Sequence, residues 1–252
     1  MLLEVTVVVL LFILSFLSGM LGLGVAFIAI PALGFFNYEL KHVIMPWALL
    51  LNGLTAIAAA LTFMKKKMVD YKTAIPVLLI TTAAAPLGVY LLQFASTEFV
   101  WWVFVALLIF LAYRMAFPPV MSDVDSTEIP HRKRVHAGIF GVFIGTLAGF
   151  LGVGPGFLMM PTLVLLGYTA RIAAATNAVI VTLPSFSALA AHLSTAKLNW
   201  GLVGISAVVS VIGAQLGAAF MAKRVRSRTL AHIFALALVG LAAYRVILLV
   251  TH

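Results

Sequence analysis

Apolar runs of about 20 residues recur along the whole chain, and short polar stretches separate them. A run of this length crosses the hydrocarbon core of a bilayer as an α-helix. Each half of the chain begins with an apolar segment that glycine and proline interrupt, at about 3–36 and 135–166. Three uninterrupted runs follow in each half, at about 42–64, 74–93 and 99–117, then at about 172–193, 201–222 and 229–250. The pattern predicts an all-α, polytopic transmembrane helical bundle.

The two halves are related in sequence. Residues 17–31 and 147–161 align without a gap at an offset of 130, and seven of fifteen positions are identical. The identical pairs are Leu17/Leu147, Gly19/Gly149, Leu21/Leu151, Gly22/Gly152, Gly24/Gly154, Phe27/Phe157 and Pro31/Pro161. An internal repeat indicates two copies of one structural unit. We therefore predict an N-terminal repeat at 1–117, a polar linker at 118–134 and a C-terminal repeat at 135–252.

The loop charges predict that the two repeats insert in opposite orientations. The loop after the second segment of the first half holds four lysines, whereas its counterpart holds only Lys197. The loop after the third segment has no Lys or Arg in the first half, and its counterpart has four. Since cytoplasmic loops are enriched in Lys and Arg, this swap indicates an inverted-topology repeat.

Inversion requires an odd number of membrane crossings in each half. Three uninterrupted runs already give an odd number of crossings, so the interrupted segment must return to the side of the membrane from which it started. It does so either as a re-entrant hairpin or as a pair of tightly linked helices. The basic loops then lie in the cytoplasm, both termini lie outside, and the expected location is the cell membrane.

Composition agrees with a membrane protein and excludes other classes. Of the 252 residues, 64% are hydrophobic and 9% are charged, whereas a soluble domain has about 25% charged residues. The net charge of +9 comes from clusters between apolar runs, so nucleic-acid binding is not expected. The chain has no cysteine, which excludes disulfides and cysteine-based metal sites. We predict no cofactor and no metal.

The glycine-rich breaks are the main candidate for a functional site. In hydrocarbon, backbone groups freed from a helix are tolerated only inside protein or along a wet cavity. Two breaks at matched positions of inverted halves indicate a binding site near the bilayer midplane, and helix N-termini there suit an anion. The alternative is that the glycines only allow close helix packing. The candidate residues are Gly22, Leu23, Gly24, Gly152, Val153, Gly154, Pro155 and Gly156.

Polar residues in the first uninterrupted run of each half, at 42–64 and 172–193, extend this candidate site. Asn177 is the strongest, because a carboxamide in lipid needs partners and can donate to an oxyanion. Asn52 and Thr176 are further candidates, with interhelical hydrogen bonding as the alternative for all three. His192, near the outer end of its run, suits a proton or substrate role, and a loop hydrogen bond is the alternative. The serines of these runs are interpreted as packing residues.

All acidic residues fall in loops or at segment ends in this reading: Glu4, Glu39, Asp70, Glu98, Asp123, Asp125 and Glu128. A cation pathway, or a pump coupled to protons or sodium, usually places carboxylates within the membrane. Their absence from the predicted spans favours an anion pathway. The expected partners are a small anionic substrate and membrane lipid.

The chain resembles the sulfite exporter TauE/SafE family of permeases. That family carries a glycine-rich stretch ending in proline early in each half, followed by a pair of polar residues. The stretch 151–156 with Pro161 and the pair Thr176–Asn177 matches the second copy, and 21–24 with Pro31 matches the first. Val25–Ala26 and Pro155 stand where the family prefers glycine, and Pro46–Trp47 replaces the polar pair of the first half. The resemblance implies transport of sulfite, sulfonates or related sulfur-containing organic anions.

Two other functions are alternatives to an anion transporter. An intramembrane hydrolase needs a serine bonded to a histidine, but Ser185 and His192 are seven residues apart, about 10 Å along a helix. The chain is therefore not expected to be an enzyme. A non-transporting membrane scaffold or assembly subunit would explain the helices, but it would not explain matched breaks in both halves.

Overall fold

The structure is a computed structural model that describes residues 2–36, 38–116 and 130–226, with scattered positions between 229 and 243. Within these ranges the chain forms nine α-helices and no strand, which confirms the predicted all-α class. The helices are α1 (Leu2–Leu21), α2 (Ala26–Leu33), α3 (Met45–Lys65), α4 (Tyr71–Leu92), α5 (Thr97–Ala116), α6 (His131–Leu151), α7 (Gly156–Leu165), α8 (Ala170–His192) and α9 (Trp200–Arg224). A π-helical turn, Leu40–Ile44, leads directly into α3.

Six helices in the described part are long and apolar enough to cross a membrane: α1, α3, α4, α6, α8 and α9. Each interrupted segment consists of a long helix and a short one, α1 with α2 and α6 with α7, so its two arms are unequal. Most of the predicted run at 229–250 and most of the predicted linker at 118–134 lie outside the described residues. Because α6 begins at His131, the last four residues assigned to that linker are helical.

Helices α3 and α8 form the interior of the molecule. In their spans 78% and 72% of the residues are buried, compared with 39% in α1 and α4. They run antiparallel, because Asn52 contacts Ser185 at their middles while His42, just before α3, accepts a hydrogen bond from Lys197 beyond the end of α8. The polar residues of α3 and α8 therefore meet inside the protein, away from lipid.

Two outer pairs of helices, each drawn from both halves, pack closely through glycine. Gly213 and Gly217 of α9 lie against α1, and Gly145 and Gly149 of α6 lie against α4. Residue numbers rise together along both contacts, so each pair is parallel. In the repeat, α1 corresponds to α6 and α4 corresponds to α9. The α1–α9 pair and the α4–α6 pair are therefore counterparts of each other in the repeat.

Candidate functional site

Both interrupted segments break at glycine turns of the same backbone shape. The φ angle is +62° at Gly22 and +75° at Gly24, and it is +66° at Gly152 and +73° at Gly154. Glycine adopts this left-handed region without the steric cost that a β-carbon brings. The first turn ends α1 and precedes α2, and the second ends α6 and precedes α7. The glycine pattern thus predicted the positions of the two breaks.

The two turns touch each other at the buried centre of the protein. A β-carbon at Gly156 would overlap the carbonyl oxygen of Leu23, and Leu23 and Val153 are both fully buried. Just beyond the turns, Phe27 stacks on its repeat counterpart Phe157, with ring centroids 5.5 Å apart. The N-terminal ends of α2 and α7 therefore converge on one place.

Asn177 on α8 joins the two turns directly. Its side-chain Nδ2 donates to the carbonyl oxygen of Gly22 at 2.9 Å and to that of Gly156 at 3.0 Å. The residue is fully buried, and its Oδ1 has no hydrogen-bond partner. Asn177 is one of the predicted site residues, and its amide group contacts a turn of each half.

Asn52 on α3 lies between the two turns. Its Oδ1 accepts the N–H of Ala26 at 2.8 Å, and its Nδ2 donates to the hydroxyl of Ser185 at 2.9 Å. A β-carbon at Gly24 or at Gly154 would overlap the Asn52 amide. These two glycines are therefore needed for close approach to Asn52 as well as for the turn itself.

Thr55 and Ser185 belong to this centre, although neither is among the predicted site residues. Thr55 Oγ1 accepts the N–H of Val25 at 3.3 Å, and both hydroxyl residues are buried. Pro155 occupies the position of Val25 in the second turn, and it has no N–H to donate. The missed signal was the repeat itself, because an offset of 130 residues relates Thr55 to Ser185.

Thr176 does not join the centre, although it is adjacent to Asn177. Its hydroxyl accepts the N–H of Asp70, the residue that caps α4, at 3.1 Å. Asp70 lies at a segment end, as predicted, but it is only 4% exposed. The sequence indicated only a loop or segment-end position for this carboxylate, and its burial was not predicted.

Asp70 is the hub of a polar cluster between the halves. Its Oδ2 accepts the hydroxyl of Tyr168, between α7 and α8, and that of Thr73 at 2.8 Å. Arg134 of α6 places its Nε 3.7 Å from the same oxygen. Burial, and after it the hydrogen bond to Asp70, raises the pKa of Tyr168 above its ordinary value. The cluster joins α4, α6 and α8 where these three helices begin.

His192 lies apart from the glycine turns. It is the last residue of α8, 4% exposed, and its Nε2 is buried without a hydrogen-bond partner. It lines a cavity of about 360 Å³ together with Lys41, His42 and Thr195. The predicted site therefore divides: Asn52, Asn177 and both turns meet at the centre, whereas Thr176 and His192 lie towards opposite ends of α8.

Comparison with known proteins places the chain among membrane transporters. Residues 7–245 match the family described as "Sulfite exporter TauE/SafE". The "Probable membrane transporter protein YunE" of Bacillus subtilis is 26% identical over 259 residues, covering 93% of this chain and 94% of that protein. A "Probable membrane transporter protein" of Haemophilus influenzae is 27% identical, covering 82% of this chain and 80% of that protein. No solved structure matches the chain.

Proposed function

Because this chain belongs to the sulfite exporter TauE/SafE family, we propose that it carries small sulfur-containing anions, such as sulfite or sulfonates, across the cell membrane. The anion binds at the buried centre, near the bilayer midplane, where the two glycine turns meet. The chain is a multi-pass membrane protein with six described spans, and its family and relatives are transporters.

The convergence of two helix N-termini is the observation that supports this position. The start of a helix presents backbone N–H groups and the positive end of its dipole, and both favour an anion. Here α2 and α7 start at adjoining turns, and Asn52 and Thr55 accept N–H groups at the start of α2. An anion replaces these neutral oxygens with a charged acceptor, which makes stronger hydrogen bonds.

In this proposal the two asparagines hold the centre closed until substrate binds. In the structure they link the turns to each other and to α8, and all four central polar side chains are buried. An anion between the turns accepts the amide N–H groups that now donate to Gly22, Gly156 and Ser185. Substrate therefore substitutes for internal hydrogen bonds, which lowers the cost of separating the halves.

Opposite insertion of the two repeats is part of the same proposal. The antiparallel course of α3 and α8, which are repeat counterparts, supports it, and so does the exchange of the two glycine-packed pairs. Repeats of opposite topology allow a central site to face either side of the membrane by symmetric movements. The basic loops face the cytoplasm and both termini face outward in this arrangement.

We also infer that the activity is transport and not catalysis. The Ser185 hydroxyl donates to the carbonyl of Val181 and accepts from Asn52. His192, the histidine of the same helix, is seven residues away, about 10 Å along the axis. A serine nucleophile needs its base within hydrogen-bond reach.

Two serines of α8 provide a matched test. Ser185 accepts from Asn52 at the centre, whereas Ser187 donates to the carbonyl of Thr82 on α4. We expect Ser185→Ala to lower sulfite or methanesulfonate uptake into proteoliposomes about tenfold, because Ser185 holds the Asn52 side chain in position between the two turns. Ser187→Ala should remain within about twofold of the unmodified protein.

Equal effects of the two serine substitutions on uptake would overturn the assignment of the centre. If the unmodified protein neither moves nor binds sulfite, sulfonates or thiosulfate, the proposed activity fails and the scaffold function is favoured. Binding is measured as a rise in Tm on adding each anion, because a ligand that binds only the folded state stabilises it.

A further inference from the structure

A groove between α4 and α6 lies outside the proposed transport site. Its volume is about 720 Å³, and most of its lining is apolar. Ile139 and Val142 on its α6 side are 65% and 53% exposed. The apolar lining residues are Pro76, Ile80, Val135, Gly138, Ile139 and Val142.

The groove exists because α4 and α6 separate towards their N-termini. At Gly149 a β-carbon would overlap the carbonyl oxygen of Ala85, and at Gly145 it would lie 2.8 Å from the Cα of Thr81. At Gly138 the nearest atom is 3.3 Å away, and it belongs to the end of the Ile80 side chain. The two backbones therefore touch near their C-terminal ends and diverge towards the end where both helices begin.

Positive charge lies at the open end of this groove. Lys72 and Arg134, each in the first turn of its helix, are among the lining residues. The Arg134 side chain is 19% exposed, and its Nε is buried without a hydrogen-bond partner. Although Asp70 is 3.7 Å away, its carboxylate already accepts from Lys72 N–H, Thr73 and Tyr168. Since a guanidinium has five N–H donors, Arg134 keeps donors for an acceptor in the groove that it lines.

The counterpart pair of helices lacks this charge. By the repeat offset of 130, the residue of α1 that corresponds to Arg134 is Glu4, and the residue of α9 that corresponds to Lys72 is Leu202. The two helix pairs have the same parallel, glycine-mediated packing, so close packing by itself does not require the basic residues. Helix packing therefore does not account for the two cations at this end of the α4–α6 groove, one of which, Arg134, also lies near Asp70.

We propose that this groove binds a phospholipid with an anionic headgroup. The headgroup phosphate lies against Lys72 and Arg134, and an acyl chain follows Pro76, Ile80 and Ile139 along the groove. Basic pockets between membrane helices bind anionic headgroups in this way, and an apolar channel below the charges suits an acyl chain and not a small free anion. The site is independent of the transported substrate.

Native mass spectrometry of the full chain tests this site, with phosphatidylglycerol or phosphatidylcholine of identical acyl chains added to the detergent. We expect the protein to retain phosphatidylglycerol at least tenfold more strongly than phosphatidylcholine. Lys72→Gln combined with Arg134→Gln should reduce that retention roughly ten- to thirtyfold. Each basic residue near an anionic headgroup raises the affinity for the lipid by at most about tenfold. The matched control removes the same charge from the end of α3 and the loop after it, as Lys65→Gln combined with Lys66→Gln, and should change retention less than threefold.

Equal retention of the two lipids by the unmodified protein would overturn the proposal, as would equal losses in the two double variants. If the Lys72/Arg134 variant fails to fold, Lys72→Gln alone and Ile139→Trp replace it. The tryptophan fills the acyl part of the groove, so both lipids should be lost. Unchanged phosphatidylglycerol retention in Ile139→Trp also contradicts the proposal.

Discussion

At the scale of single residues, adjacent positions on one helix serve different parts of the molecule. Thr176 and Asn177 follow each other on α8, but successive side chains on an α-helix point about 100° apart. Asn177 therefore donates to both glycine turns, while Thr176 accepts the N–H of Asp70. A polar pair that looks like one motif in the sequence contributes to two separate sites.

The Asp70 cluster is a residue-scale feature that hydropathy does not reveal. A carboxylate beside a lysine-rich loop suggests exposure to solvent, yet Asp70 is buried. Its burial is tolerated because Tyr168, Thr73 and the N–H of Lys72 all donate to it. The partners come from both halves, so the cluster holds the halves together at the end opposite to His192.

Tyr168→Phe tests how much this cluster stabilises the protein. We expect the free energy of unfolding to fall by about 1–3 kcal/mol at neutral pH, because a buried carboxylate loses a donor. The pKa of Tyr168 is raised in the folded state, so the phenol keeps its proton while the unfolded chain loses it above about pH 10. Stability from this group is therefore fully present below that pH and is lost progressively as the pH rises from there towards the raised pKa of the folded state.

The measurement is thermal unfolding in detergent from pH 7 to pH 11 for both proteins. The difference between them isolates Tyr168 from the other ionising tyrosines. It should be largest at neutral pH and shrink above about pH 10. A difference that stays constant, or grows, at alkaline pH would contradict the assigned role.

At the scale of elements, glycine has one role in the turns before the short helices α2 and α7 and another role in the close-packed helix pairs. In the turns glycine permits a positive φ, as at Gly24 and Gly154. In the α4–α6 contact it permits two backbones to touch, as at Gly149. Membrane helices gain little from the hydrophobic effect between them, so such close contact is a main source of their association.

Two glycines of α6 provide an element-scale prediction. Gly149→Ala should destabilise the protein by about 1–3 kcal/mol, because its β-carbon meets backbone atoms of Ala85 that cannot move aside. Gly138→Ala should change stability by less than about 1 kcal/mol, since the nearest atom is the mobile end of Ile80 and alanine favours helix. Midpoints of thermal unfolding measured side by side decide between these outcomes. A larger loss at Gly138 would show that the helices do not diverge.

At the scale of the whole molecule, each half depends on the other for its packing. Helix α1 packs on α9 and α6 packs on α4, while α3 and α8 meet at the centre through Asn52 and Ser185. Every one of these contacts crosses from one repeat to the other. A single repeat would therefore expose the apolar and polar surfaces that the second repeat covers.

Opposite insertion of the repeats can be tested by labelling, because the natural chain has no cysteine. Lys66 and Lys197 lie in counterpart loops, after α3 and after α8. We expect a membrane-impermeant maleimide to label Lys197→Cys in intact cells, and to label Lys66→Cys only after permeabilisation. Labelling of both positions from the same side would overturn the inverted topology.

The sequence by itself determined the features that depend on local composition and periodicity. Apolar length predicted the helices α3, α4, α5, α8 and α9, and glycine at positions 22, 24, 152 and 154 predicted the two breaks. Both signals are readable because membrane hydrocarbon requires long apolar helices and a positive φ favours glycine. Matching family and relatives agree with the transporter class that these features indicate.

Only the tertiary structure decided which polar groups meet. Asn177 contacts Gly22 across 155 positions of sequence, and Asn52 contacts Ser185 across 133. Helical periodicity limits the face on which a side chain lies, but not which distant helix covers that face or in which register. For this reason the structure places Ser185 and Thr55 at the centre, where they were not predicted. Thr176 and His192 were predicted site residues, but they lie towards opposite ends of α8.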